Sequence, residues 1–218
     1  MVPMSTDPRL PVLAELERKI LWLSTWTIHA ANHLRESRDG LKVGGHQASS
    51  ASMATIADPD PVIFFEPKSR YWAKEEGELD GAESLPIGRA RVVRPGADCT
   101  IFSYGAMVAR SVAAAEAASD RADVEVIDLR SLVPLDLDAI GSAVRKTGRA
   151  IVVHEAPMTA GFGAEVVARI VEEAFDYLEA PVVRVTGYDT PYPPATVESH
   201  YLPSVRRILA AIDRVTNY

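Results

Sequence analysis

The stretch RAIVVHEAPMTAGFGAEVVARIVEEAFDYLEAPVVRVTG (residues 149–187) decides the fold. It opens on an apolar run, RAIVVHEA, short and rich in β-branched residues, which reads as a buried strand. A loop containing proline and glycine follows, then GAEVVARIVEEAFDYL with the periodicity of an amphipathic helix, then a second strand, PVVRVTG. Strand, helix and strand in immediate succession place the two strands parallel, with the helix crossing one face of the sheet.

The same alternation continues outward. DCTIFSYG (98–105) and VEVIDLRSL (124–132) read as strands, and MVARSVAAAEAAS (107–119) as an alanine-rich helix. PLDLDAIGSAVRKTG (134–148) reads as a helix with Gly148 at its C′ position, and LPSVRRILAAIDRVTNY (202–218) as the closing helix. GRARVVRPG (88–96) alternates and stops at Pro-Gly. Strands nearly continuous in Val and Ile predict a three-layer α/β fold, its mostly parallel sheet covered by helices on both faces.

Upstream the pattern changes. Residues 10–34 place Leu13, Leu16, Ile20, Leu23, Thr27, Ala30 and Leu34 on one helical stripe, with Trp22 and Trp26 on a neighbouring face. Such a stripe needs a large surface to cover, so self-association through this N-terminal helical appendage is expected. LKVGGHQASSASMATI (41–56) follows as a glycine loop and the start of a second helix, with Ser49, Ser50 and Ser52 as its N-cap candidates. SMATIADPDPVIFFEP (52–67) is a seam between the two patterns, which divides the chain into segments 1–57 and 58–218.

Composition narrows the function. Of 218 residues 47% are hydrophobic and 24% charged, the balance of a soluble globular protein. A formal charge of −7 argues against a nucleic-acid partner, which requires a basic face. No apolar run approaches the ~20 residues of a membrane span, and the first residues lack a basic-then-apolar leader pattern, so a cytoplasmic location is expected. The single Cys99 leaves no internal disulfide and no multi-thiolate metal site, and its place at the start of an apolar strand suggests an inert buried thiol.

Four stretches could carry chemistry. GFGAEVV (161–167) puts two glycines before a helix, where an anion could bind; it matches only half of a dinucleotide fingerprint and reads better as a tight turn. HEAPM (154–158) places His154 and Glu155 at the carboxyl end of a strand, where open α/β sheets build sites; without a second histidine one turn along a helix, a structural role fits better. GYDTPYPPATVESHYLP (187–203) is a stiff, tyrosine-rich arm, suited either to an interface or to folding over its own domain. GGHQASS (44–50) sets His46 beside glycines and hydroxyls able to meet phosphate oxygens.

The segments DPDPVIFFEPK, VEVIDLRSLVPLD, TGRAIVVHEA, GFGAEV, VRVTGYDTPYPPA and HYLPSVRRILAAI occur in order. Together they closely resemble the C-terminal domain of the β subunit of 2-oxoacid dehydrogenases, in the transketolase superfamily. LAELERKILWLSTWTIHAANHLRES with GGHQASSASMATI resembles the opening of the homodimeric pyruvate dehydrogenase component and of transketolases. The resemblance implies thiamine diphosphate and magnesium as cofactors, a pyruvate or branched-chain substrate, and His46 and Ser49 as diphosphate-pocket residues. It also implies a Gly-Asp-Gly metal motif with a downstream Asn and a glutamate that protonates the aminopyrimidine. The sequence has neither the motif nor the domain that carries that glutamate, so the reading is of a shortened subunit. No catalytic residue and no metal ligand are assigned to it. Its expected role is assembly with a second copy or an alpha-type subunit, and docking to a dihydrolipoyl acyltransferase core. A free-standing binding module, or a half-site enzyme completed by a partner chain, remains the alternative.

Overall fold

Arg91–Arg94 (β1), Cys99–Ser103 (β2), Val124–Asp128 (β3), Ala150–Pro157 (β4) and Val183–Gly187 (β5) form one sheet in the order β1-β3-β2-β4-β5. The computed structural model describes residues 86–218, together with the single helical residue Lys19. The chain divides into Met1–Gly77 and Glu78–Tyr218, and the sheet belongs to the second unit. β2 pairs in parallel with β3 and β4, β4 pairs in parallel with β5, and β1 runs antiparallel to β3. The sheet is therefore mostly parallel, as the apolar strand pattern predicts.

The helices are Met107–Ala117 (α1), Leu137–Thr147 (α2), Gly163–Ala174 (α3), the short Glu198–Tyr201 (α4) and Val205–Thr216 (α5). Side chains alternate across a strand, so each strand feeds two cores. Ile101, Val126, Ile151, Val153 and Val185 meet α1 and α5 through Met107, Ala114, Ile208 and Ile212. Phe102, Ile127 and Val152 meet α2 and α3 through Ile140, Val144, Val166 and Ile170. β2 is buried along its whole length because helices cover both of its faces. β1 is an exposed edge, and its flanking arginines suit an edge strand.

Helix ends follow local chemistry. The Asp136 carboxylate caps α2 by accepting from Ala139 N–H at 3.1 Å, and Gly148 closes that helix at φ 65°, a conformation glycine adopts without steric cost. Ser204 caps α5 through Arg207 N–H. The strand expected over 124–132 stops at Asp128, because the chain turns at Arg130 with φ 55°. The helix expected over 163–178 is α-helical to Ala174 and ends in a 3₁₀ turn at Phe175–Tyr177.

The N-terminal helical segment, the loop with His46 and Ser49, the seam and the 57/58 boundary lie outside the described residues. Among the described residues, no helix is long and apolar enough to cross a membrane.

Candidate functional site

β2 ends at Ser103 opposite Val153, and β4 continues beyond it to Pro157, so His154 lies within β4, one residue past the end of β2 and not at the carboxyl end of its own strand, with its side chain fully buried. It follows Val152 by two residues and so shares the α2–α3 face. Its Nε2 accepts a hydrogen bond from Gly163 N–H at 3.2 Å, at the first residue of α3. An acceptor at Nε2 places the proton of the neutral ring on Nδ1. No group meets hydrogen-bond geometry with Nδ1 among the described residues. Tyr104, the residue after β2, stacks on the ring at 5.9 Å with an interplanar angle of 14°, and Phe162 meets Tyr104 edge-on.

Both glycines of GFG are explained by this ring. A Cβ on Gly163 would lie 2.2 Å from Nε2 of His154, and one on Gly161 would lie 2.8 Å from Cε1 and 2.2 Å from the Pro157 carbonyl oxygen. Gly163, Val166, Ile170 and Ala174 are the buried stripe of α3, so a side chain at 163 would point straight into the histidine. The Gly163 N–H is directed at His154 and the Ala164 N–H at the Gly161 carbonyl, 2.9 Å away. The first turn of α3 thus spends these donors internally, and the tight-turn reading of GFG describes the geometry.

Burial holds the His154 pKa below its usual value, the charge of Arg184 adds to this, and the backbone at Ala156 opposes it weakly. Glu155, the next residue, has Arg110 and Glu198 as its charged neighbours. Burial raises its carboxyl pKa, Arg110 pulls it back and Glu198 raises it further. Burial also raises the Tyr104 phenol, with Glu155 adding to the shift. The Cys99 thiol is pushed up to about 12, chiefly by burial, and is inert as expected.

The loop leading from β4 to α3 is tied on its other side. Asp189 accepts from Thr159 N–H at 2.9 Å and from the Thr159 hydroxyl at 2.8 Å, and Arg184 donates to the Met158 carbonyl. Between these ties and Gly163 lies Ala160, at the left-handed φ of 57°. Ala160, Gly161, Phe162, Ala164, Glu165 and Arg169 form one wall of a groove of about 780 Å³, and residues of the segment 132–137 form the other.

The tyrosine arm folds against its own domain. Tyr192 and Tyr188 each pack edge-on against the buried Tyr201, and the Arg207 guanidinium lies 4.5 Å from the Tyr188 ring. The Tyr192 hydroxyl donates to Glu198, which pushes its pKa up to about 12. Gly187 allows this packing, since a Cβ there would lie 2.4 Å from the Glu155 carbonyl oxygen and 2.6 Å from the Tyr201 ring. Tyr188, Tyr192 and Val197 keep about half of their surface exposed, so the arm is anchored and still presents an apolar outer edge.

The two pocket residues assigned from the sequence, His46 and Ser49, lie outside the described residues. Of the stretches read as structural, His154 and GFG meet through the Gly163 N–H. Tyr104, Arg110 and Arg184 escape sequence reasoning, and Tyr201 enters it only as one tyrosine of the arm. Tyr104 alone carries a signal, as an aromatic directly after a central strand at the edge where such sheets build sites.

Residues 88–208 match the family described as Transketolase, C-terminal domain. The pyruvate dehydrogenase E1 component subunit beta of Leifsonia xyli is 50% identical over 175 residues, 79% of this chain and 51% of that protein. The 3-methyl-2-oxobutanoate dehydrogenase subunit beta of Mycobacterium tuberculosis is 48% identical, covering 73% of this chain and 46% of that protein. The chain thus spans about half the length of the curated relatives it matches. A solved split-gene transketolase, an inactive beta4 tetramer, shares the fold with a TM-score of 0.58 over 78% of this chain and 55% of that one, at 23% identity. With more than half of its residues inside the matched domain, this chain belongs to the transketolase C-terminal domain family.

Proposed function

We propose that this chain is a shortened β subunit of a thiamine-diphosphate-dependent 2-oxoacid dehydrogenase of pyruvate or branched-chain type. Its C-terminal domain serves subunit assembly and docking to a dihydrolipoyl acyltransferase core in the cytoplasm. The observation that carries this reading is the 50% identity over 175 residues to a pyruvate dehydrogenase β subunit. The anchored arm supports it, because a stiff aromatic edge loses little conformational freedom when a partner covers it. Among the described residues no group of three or more His, Cys, Asp or Glu is placed to hold a metal ion. In this reading His46 and Ser49 would meet the diphosphate only in a pocket completed by another chain, and decarboxylation chemistry falls to the cofactor and to other chains. The GGHQASS loop favours a second reading, in which an alpha-type partner completes a shared site.

Two measurements test this. Titration calorimetry of the chain with thiamine diphosphate and magnesium is expected to show no binding; a micromolar constant would sink the shortened-subunit reading, and heat only after adding an alpha-type chain would support the shared site. Capture on an immobilised peripheral-subunit-binding domain tests docking. Replacing Tyr188, Tyr192 and Val197 together by alanine, with buried Tyr201 intact, is expected to weaken capture at least ~10-fold, as loss of aromatic interface anchors does. Undiminished capture would remove the arm from the interface.

A further inference from the structure

We propose that His154 is a proton-operated latch on the start of α3. With a neutral ring, Nε2 accepts the Gly163 N–H and holds the helix against β4. A second proton turns Nε2 into a donor facing a donor, so the bond is lost and the ring and the first turn of α3 must separate.

The surroundings favour local release over collapse. The ring is closed in by the Gly161 and Gly163 backbone at distances that leave no room for a Cβ, so it cannot turn aside without moving that backbone. Ala160, just upstream, holds a sparsely populated left-handed conformation that release would relieve. The segment before it stays fixed, because Thr159 is bonded twice to Asp189 and Met158 to Arg184. Residues 160–166 therefore have a natural hinge at one end and the body of α3 at the other. Gly161, Phe162, Ala164 and Glu165 line the groove, so opening the latch reshapes one wall of it while Leu132–Leu137 stays in place.

The charged and titratable neighbours decide when this happens. Arg184 on β5 opposes a positive ring, and so does the positive end of α3. Tyr104 stacks on the ring uncharged. Glu165 lies in the first turn of α3, Asp189 is engaged with Thr159, and Glu155, the next residue on β4, has Arg110, Glu198 and Tyr104 as its electrostatic neighbours. The latch is thus closed at neutral pH and opens on the acid side.

The test is NMR of the full chain from pH 7.5 downward. Imidazole ¹⁵N shifts report the tautomer and titration of His154, and amide exchange protection is followed in parallel. The expected result is an Nδ1–H tautomer at neutral pH, then at least a tenfold loss of protection at residues 163–166 as the ring titrates. Thr159 and residues 151–153 are expected to keep theirs. An Nε2–H tautomer at neutral pH, titration without loss at Gly163, or equal loss in β4 would each overturn the latch. If His154→Gln folds, the acid step should vanish from residues 163–166; its persistence would likewise overturn the proposal. If that variant does not fold, the measurements on the unaltered chain decide.

Discussion

A methyl group at residue 163 would sit 2.2 Å from Nε2 and 2.4 Å from Cδ2 of His154, with Val152 close behind. The ring is fully buried and stacked under Tyr104, so it has no room to yield. Gly163→Ala is therefore expected to destabilise the domain by about 2–4 kcal/mol, combining overpacking with loss of the Gly163–His154 hydrogen bond. Gly105 supplies the contrast. It lies at φ 62° with nothing within 4 Å of an added Cβ, so Gly105→Ala meets only the left-handed backbone penalty, about 1 kcal/mol. Urea midpoints of the two variants separate the mechanisms: comparable losses would mean that the α3 start relaxes freely and that the close packing at His154 carries no energy. At this scale the sequence is only half legible. The glycines announce a tight turn, but their target lies nine residues back along the chain. Which residue fills the missing volume depends on the angle at which α3 enters, and no local pattern encodes that angle.

At the scale of elements, α2 shows how one side chain fixes a boundary. Asp136 is buried; one of its oxygens accepts from Ala139 N–H, and the other accepts from Ala90 N–H at 3.0 Å, tying the approach to β1 onto the start of the helix. Asp136→Ala removes the cap and strands the Ala90 donor, so a loss of about 2–3 kcal/mol is expected. Asp136→Asn retains an acceptor for the cap and is expected to lose about half as much. Chemical denaturation of both checks the order, and equal losses would reject the capping account. The core elements themselves were readable because their apolar blocks alternate in period as well as composition. CTIFS and AIVVH are too short and β-branched for helices, and α3 buries every third or fourth residue. The arm was not readable. Its prolines dictate stiffness, but packing against Tyr201 arises from a Gly187 that lets the chain pass close and from Arg207, which reaches the Tyr188 ring from another helix.

For the whole domain, the two neighbours on β4 set opposing pH dependences of stability. His154 has a folded pKa below the ordinary 6.5, so between the two values the unfolded chain binds more protons and stability rises with pH, levelling off above about 6.5. Glu155 has a folded pKa above the ordinary 4.5, so between those values the folded chain binds more protons and stability falls as pH rises. His154 is bonded to the start of α3 and Glu155 interacts with Arg110 and Glu198, but Tyr104 senses Glu155 and stacks on His154, so the two contributions are separated by substituting one residue and not by assuming that they add. Glu155→Gln removes the falling contribution and leaves the rising one. The stability of Glu155→Gln relative to the unaltered chain should therefore improve as pH rises from 4.5 through the raised folded pKa of Glu155 and then level off, and the variant's own curve should climb toward pH 6.5 without the opposing slope. Urea midpoints collected from pH 4 to 8 give both curves directly. A gap between variant and parent that stays constant across that range would show that Glu155 titrates normally in the folded domain, and the residual slope would then have to be assigned to His154 alone.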